Sequence, residues 1–261
     1  MTSVLLNSRD HAAMRVVTRR GTAYGDGAIL APLFPAEFRN AQAHYPIVFR
    51  DDGAGGLYPV ALFGLVEGRN LFLAHAGSET VWDAHYLPWS VERQPFMIGR
   101  TAAPAASGAP GALGGSAGPA GSADDGDALQ LHVDLAHPRV RLAEDDDAAL
   151  FDEHGRPTEL VERTASLLRA IHEGMLALPA FMDALLTHRL LESFVLDIEA
   201  EDGGVARIAG FQAIHEERLA ALDAEALGAL HRAGFLEPIY MAVASMAQLR
   251  GLIERHRRSG S

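Results

Sequence analysis

Residues 101–128 contain almost nothing but Ala, Gly, Pro, Ser and Asp (TAAPAASGAPGALGGSAGPAGSADDGDA), and this run cuts the chain into two parts. Such a stretch buries too little apolar surface to offset the entropy of ordering it, so it is expected to be a flexible loop. Strand-like segments stand on both sides, and neither part alone supplies a complete sheet. That pattern predicts an insert within one large domain rather than a linker between two.

Upstream of the insert, residues 36–45 read as a short helix closed by Pro46. Residues 46–49, 57–65 and 70–74 read as strands. Turn chemistry at Asp51-Asp52-Gly53-Ala54-Gly55-Gly56 and at Glu67-Gly68 predicts that they form an antiparallel meander. A further apolar run spans residues 95–98. After the insert, Leu129, Leu131 and Val133 alternate with other residues, the period of a half-buried strand.

The second part is mostly helical in pattern. Residues 159–178 place Leu160, Thr164, Leu167, Leu168, Ile171, Met175 and Leu178 on one face. Thr158 suits the N-cap, Glu159 can pair with Arg163, and Pro179 is expected to end this helix and open another over 180–190. A hairpin is predicted from 194–199 and 205–214 around Asp202-Gly203-Gly204. Helices over 224–232 and 238–256 follow, with Gly234 as a C-cap glycine. The expected fold class is therefore α+β: an antiparallel β-sheet with a C-terminal group of helices packed against it.

Charge and cysteine content narrow the function classes. With 34 acidic and 22 basic residues the formal net charge is −12, a field that repels phosphate backbones and anionic membrane surfaces. The basic cluster Arg255-His256-Arg257-Arg258 suits the negative end of a helix rather than nucleic acid. The absence of cysteine excludes disulfides, thiolate zinc sites and cysteine nucleophiles. Residues 1–20 carry five charges around short apolar stretches and show no export signal. No run reaches the ~20 apolar residues of a membrane helix, so a cytoplasmic location is the default expectation.

Two patterns carry candidate chemistry. Trp82, Asp83, His85 and Tyr86, with Trp89 close behind, can form a stacking and hydrogen-bonding site for a sugar, aromatic or peptide ligand. The same residues can equally be aromatics that anchor an element edge to the sheet. His132 and Asp134, two apart on a strand, share a face and could bind one metal. A third histidine (His172, His188 or His215 by position) would complete an Fe(II) oxygenase triad. That triad needs several more strands downstream, where this chain turns helical, so an ordinary strand end is the simpler reading.

Other patterns point to no chemistry. His75 matches no metal spacing, and Glu144-Asp145-Asp146-Asp147 lacks the glycine-hinged spacing of a calcium loop. Gly114-Gly115-Ser116-Ala117-Gly118 matches a nucleophile elbow in letters only, inside low-complexity sequence. Phosphate-cradling glycine motifs are missing.

An ordered set of segments resembles the SapC family over about residues 30–255. It begins with Ala36-Glu37-Phe38, His44-Tyr45-Pro46-Ile47-Val48-Phe49, Pro59-Val60-Ala61-Leu62-Phe63-Gly64-Leu65 and Asn70-Leu71-Phe72. It continues with Trp82-Asp83-Ala84-His85-Tyr86-Leu87-Pro88, Gln94-Pro95-Phe96, Leu150-Phe151-Asp152-Glu153-His154-Gly155, Ile208-Ala209-Gly210-Phe211 and Glu237-Pro238-Ile239-Tyr240. The resemblance implies an association with bacterial surface-layer proteins. It also implies genomic neighbours that include flavin-dependent halogenase-like proteins, cupin-like or iron-oxygenase-like proteins and TonB-dependent receptors. It supplies no catalytic residues. The leading expectation is an accessory protein without a cofactor that binds a peptide, protein or envelope-derived ligand. An Fe(II)-dependent oxygenase using His132 and Asp134, and a structural surface-layer component, are the alternatives.

Overall fold

In the computed structural model, which describes residues 3–100, 129–142, 147–199 and 205–259, the flanks of the insert lie side by side. The first part holds β1 (Ser3–Leu5), β2 (Met14–Val16), β3 (Leu30–Pro32), α1 (Phe38–Ala41), β4 (Ile47–Asp51), β5 (Leu57–Leu62), β6 (Leu73–Ala76), β7 (Glu79–Trp82), α2 (Trp89–Glu92) and β8 (Phe96–Arg100). The second holds β9 (Leu129–Asp134), β10 (Val140–Leu142), β11 (Ala148–Ala149), α3 (Glu159–Thr187), β12 (Leu191–Glu199), β13 (Val205–Ile214), α4 (Glu216–Ala220), α5 (Ala224–Arg232), α6 (Leu236–Ser245) and α7 (Gln248–Ser259).

The expected α+β class with antiparallel sheets and packed C-terminal helices is the one found. A five-stranded sheet runs in the order β12-β13-β4-β5-β3, with smaller sheets β1-β9-β8 and β10-β2-β11 and a separate hairpin β6-β7. β8 and β9 pair in register from Phe96↔Val133 to Arg100↔Leu129, so the insert connects two neighbouring strands. The insert itself, and the turn residues 202–204, lie outside the described residues.

Hydrophobic burial explains why both parts are needed. One core joins Ile47, Val48, Phe49, Val60 and Leu62 of the five-stranded sheet to Phe181, Met182 and Leu185 of α3 and to Leu230, Ile239 and Leu252 of α5–α7. A second core joins Phe96 of β8 and Val133 of β9 to Val161, Leu168 and Ile171, nearer the start of α3. The 29-residue α3 therefore belongs to both cores. Between them Gly174 touches Phe34, where a Cβ would come within 2.8 Å of the ring.

Several sequence expectations give way to tertiary packing. Pro179 does not end the helix. α3 runs through it to Thr187, because Phe181, Met182 and Leu185 on the far side are drawn into the first core. The meander also stops at β5. After Phe63 the chain turns about Gly64, which packs against the carbonyl of Arg69, and β6 pairs with β7 instead. The expected helix over 36–45 contracts to a 3₁₀ turn plus α1. The expected helix over 238–256 divides at Met246, just after Ser245 accepts a bond from the Ile47 amide (2.9 Å) and so fixes the end of α6 to β4. Thr158 occupies the N-cap, but its hydroxyl donates to the Ala149 carbonyl (2.9 Å) rather than capping, and Arg163 faces Glu92 (4.0 Å) rather than Glu159.

A buried ion pair joins the two parts. Arg139 and Asp26 are 2% and 3% exposed, and Nη2 of the arginine reaches both carboxylate oxygens at 2.6 and 2.7 Å. Nη1 donates to the carbonyls of Val17 and Arg19, both at 2.8 Å. This cross-link shapes the segment of residues 17–26, one wall of the candidate site.

Candidate functional site

Trp82 ends β7 and Trp89 starts α2, and the segment between them crosses the edge of the first core. Its aromatics have polar tips, so burial requires partners. Trp82 Nε1 donates to the Tyr45 hydroxyl at 2.8 Å, and its ring meets Phe63 edge-on at 5.0 Å. The Tyr45 hydroxyl donates in turn to the Tyr86 carbonyl. The Tyr86 hydroxyl and the Trp89 amide both donate to Glu37 Oε1 at 2.8 Å, while Glu37 Oε2 accepts from the Phe34 amide at 3.0 Å. Glu37 is fully buried, and that burial pushes its carboxyl up to about 7. Burial likewise raises the phenols of Tyr45 and Tyr86, the latter also beside the Glu37 carboxylate.

The remaining residues of the segment face outward. Asp83 pairs with Arg255 at 2.6 Å, and that guanidinium also lies over the Phe72 ring at 4.6 Å. His85 is exposed, with its ring 5.9 Å from His44. Thus the structure brings Trp82, Tyr86 and Trp89 into one hydrogen-bonded strap around Tyr45 and Glu37, with Asp83 and His85 on its outer side.

The open space lies on the far side of Trp82. A groove of about 610 Å³ runs along residues 78–82, including all of β7, and is faced by Thr18, Arg19, Arg20 and Tyr24. β7 pairs only with β6, so its other edge has no strand beside it among the described residues. Val81, 37% exposed, lies in this groove. Arg19 pairs with Asp147 (3.2 Å) and Arg20 with Asp26 (3.4 Å), so the wall opposite β7 carries its arginines as ion pairs, and Glu79 adds an exposed carboxylate to the groove. Trp82 also lines a smaller chamber of about 180 Å³ that includes Asp26, Asn70, Ser90, Arg93 and Gln94. Of these groove and chamber residues the sequence pointed only to Trp82. The others form no motif of binding chemistry, although Asn70 and Gln94 fall in segments that resemble the family, and they meet through the turns at 17–26 and 63–72.

His132 and Asp134 sit on β9, paired with Leu5 and Ser3. The His132 ring packs over Gly99 with Nε2 buried and without a partner, whereas Asp134 Oδ1 accepts from the Ala136 amide at 3.1 Å. No third histidine or carboxylate joins them among the described residues. The trio within metal-binding reach there is Glu192, His215 and Glu217. In it His215 Nδ1 faces Glu217 (3.1 Å) and Nε2 faces Glu192 (4.0 Å), so opposite sides of one imidazole meet the two carboxylates. One ligand atom from each residue lies within 4.8 Å of the others, with both glutamates exposed, and His215 Nδ1 also accepts from the Arg218 amide (3.5 Å) as the N-cap of α4. Asp147 is buried against Arg19, while Glu144, Asp145 and Asp146 lie outside the described residues, as do Gly114–Gly118.

Among the described residues no helix is long and apolar enough to cross a membrane. No curated protein and no solved structure matches the chain. The family model described as SapC matches residues 6–252, which include both cores, the Trp82–Trp89 strap and the groove beside β7. That match covers most of the sequence, and the protein belongs to the SapC family.

Proposed function

We propose that this SapC-family protein is a non-catalytic binding protein that holds an extended peptide segment of a partner protein in the groove beside β7. The observation that carries the reading is the open edge of β7, with residues 78–82 lining one side of a groove of about 610 Å³. An unpaired strand edge offers a row of backbone donors and acceptors, which an extended peptide satisfies by adding a strand. Trp82 and Val81 supply apolar contact, and the half-exposed Arg19 on the facing wall supplies a polar one. The hydrogen-bonded strap behind Trp82 holds this edge rigid, which lowers the ordering cost of binding.

Selection of peptides from a random displayed library on the full chain tests the reading. Peptides with extended sequences that place apolar side chains toward Val81 and Trp82 are expected. Because Val81 is exposed, Val81→Asp should leave the fold intact while placing a charge in the groove. It is expected to weaken a selected peptide by at least about tenfold in fluorescence anisotropy. Failure to select any peptide, or equal affinity for the variant, would refute the proposal.

A further inference from the structure

The chamber behind Trp82 contains an unusual combination of polar groups. Arg93, mostly buried, gives one hydrogen bond, to the Phe96 carbonyl (2.8 Å). No carboxylate among the described residues pairs with it. Burial lowers the pKa of its guanidinium, with no opposing contribution from a nearby acid. A cation taken out of water without a counter-ion is costly, and a bound anion offsets that cost.

Beside it, the side-chain oxygen of Gln94 is buried and accepts no hydrogen bond. It lies 3.8 Å from where a Cβ on Gly25 would stand, an ordinary contact distance, at a position whose φ of +91° favours glycine. Asp26, the chamber's own carboxylate, is already held by both contacts from Arg139 and by the Gly21 amide (2.9 Å). Arg93 thus lacks an acceptor of negative charge and Gln94 lacks a donor.

We infer that this chamber captures a carboxylate with an adjacent N–H, the terminal residue of a peptide whose preceding residues lie along β7. The carboxylate takes the Arg93 guanidinium and the terminal amide N–H donates to Gln94 Oε1. Trp82 lines both spaces, and on this inference the peptide passes beside its ring from groove to chamber. The inference rests on the groove reading above and gives it direction: the peptide enters C-terminus first. A volume of about 180 Å³ admits roughly one residue.

Small probes separate this inference from the groove reading. N-acetyl-L-alanine carries both required groups, N-acetyl-L-alaninamide lacks the carboxylate, and acetate lacks the N–H. The Trp82 indole N–H resonance, assigned by comparison with a Trp89→Phe variant, reports occupancy. N-acetyl-L-alanine is expected to shift it and to bind at least about tenfold more tightly than either control, as a charge-assisted bond requires. Arg93→Met should abolish that preference. If that variant fails to fold, the three probes on the wild-type chain still decide. Equal shifts from all three, or none from any, would overturn the chamber. A library-selected peptide binding equally with a free or an amidated end would remove the chamber and leave the groove standing. An internal acidic side chain that competes as well as a free terminus would reassign the carboxylate to a side chain and overturn the C-terminal assignment.

Discussion

Replacing Glu37 with alanine is expected to lower the free energy of unfolding by about 3–5 kcal/mol, leaving a domain of ordinary stability close to its threshold. Glu37 is fully buried and accepts from three donors, the amides of Phe34 and Trp89 and the hydroxyl of Tyr86. Each donor left unpaired in the interior costs about 1–3 kcal/mol, less whatever water can recover. Glu37→Gln retains an oxygen for Tyr86 and Trp89 but sets an amide nitrogen against the Phe34 amide, so a smaller loss of about 1–2 kcal/mol is expected. Denaturant titration measures both.

The same residue sets a pH dependence of known sign. Folding raises the Glu37 carboxyl from its ordinary 4.5 to about 7, chiefly by burial, so the native state holds its proton more tightly than the unfolded chain. The stability this linkage contributes is fully present below pH 4.5 and is lost as the pH rises through about 7. Wild type compared with Glu37→Gln across that window should show its advantage shrinking with rising pH. A flat difference would mean that the native carboxyl titrates normally.

Arg139→Met is expected to cost about 3–5 kcal/mol, because it leaves the Asp26 carboxylate buried with only the Gly21 amide and the more distant Arg20. Attraction alone does not set this figure, since a buried pair only roughly repays its own desolvation. The cost arises from breaking one side. The double variant Arg139→Met/Asp26→Leu should therefore recover much of the loss, and a double-mutant cycle resolves the coupling. Additive losses would show that the pair is not coupled. Because Asp26 also holds Arg20, and Tyr24 lies beneath the Arg139 guanidinium at 5.8 Å, the single variant is also expected to weaken peptide binding by loosening the groove wall.

Much of the fold was legible because its strands and helices are patterned for burial. The alternation of Leu129, Leu131 and Val133 predicted β9, the apolar run at 95–98 falls on β8, and their pairing is the one-domain arrangement inferred from the strand-like segments on both sides of the insert. The helix over 224–232 and the hairpin of β12 and β13 followed from periodicity and turn residues. Gly234 caps the end of α5 with φ +74°, as its position implied. Where local signals failed, long-range contacts prevailed. Proline chemistry at Pro179 yielded to the burial of Phe181 and Leu185, and the three short N-terminal strands β1–β3 carry too few residues to show a period.

The site was legible only at Trp82. An aromatic cluster in sequence marks where large side chains gather, but not which side of them stays open. Here the strap residues Tyr86 and Trp89 turn inward to Glu37, while the groove forms against a segment some sixty residues earlier. Arg93 and Gln94 are ordinary residues on paper. They stand out only when folding removes their partners.

The central claim is that a ligand adds to the free edge of β7. Amide hydrogen exchange on the full chain, with and without a library-selected peptide, addresses it at the backbone itself. The account predicts that the peptide slows exchange at residues 79–82 and at 18–24 on the opposite wall, and leaves the β12 edge unchanged. Unaltered exchange along β7, with protection appearing on another surface, would contradict it.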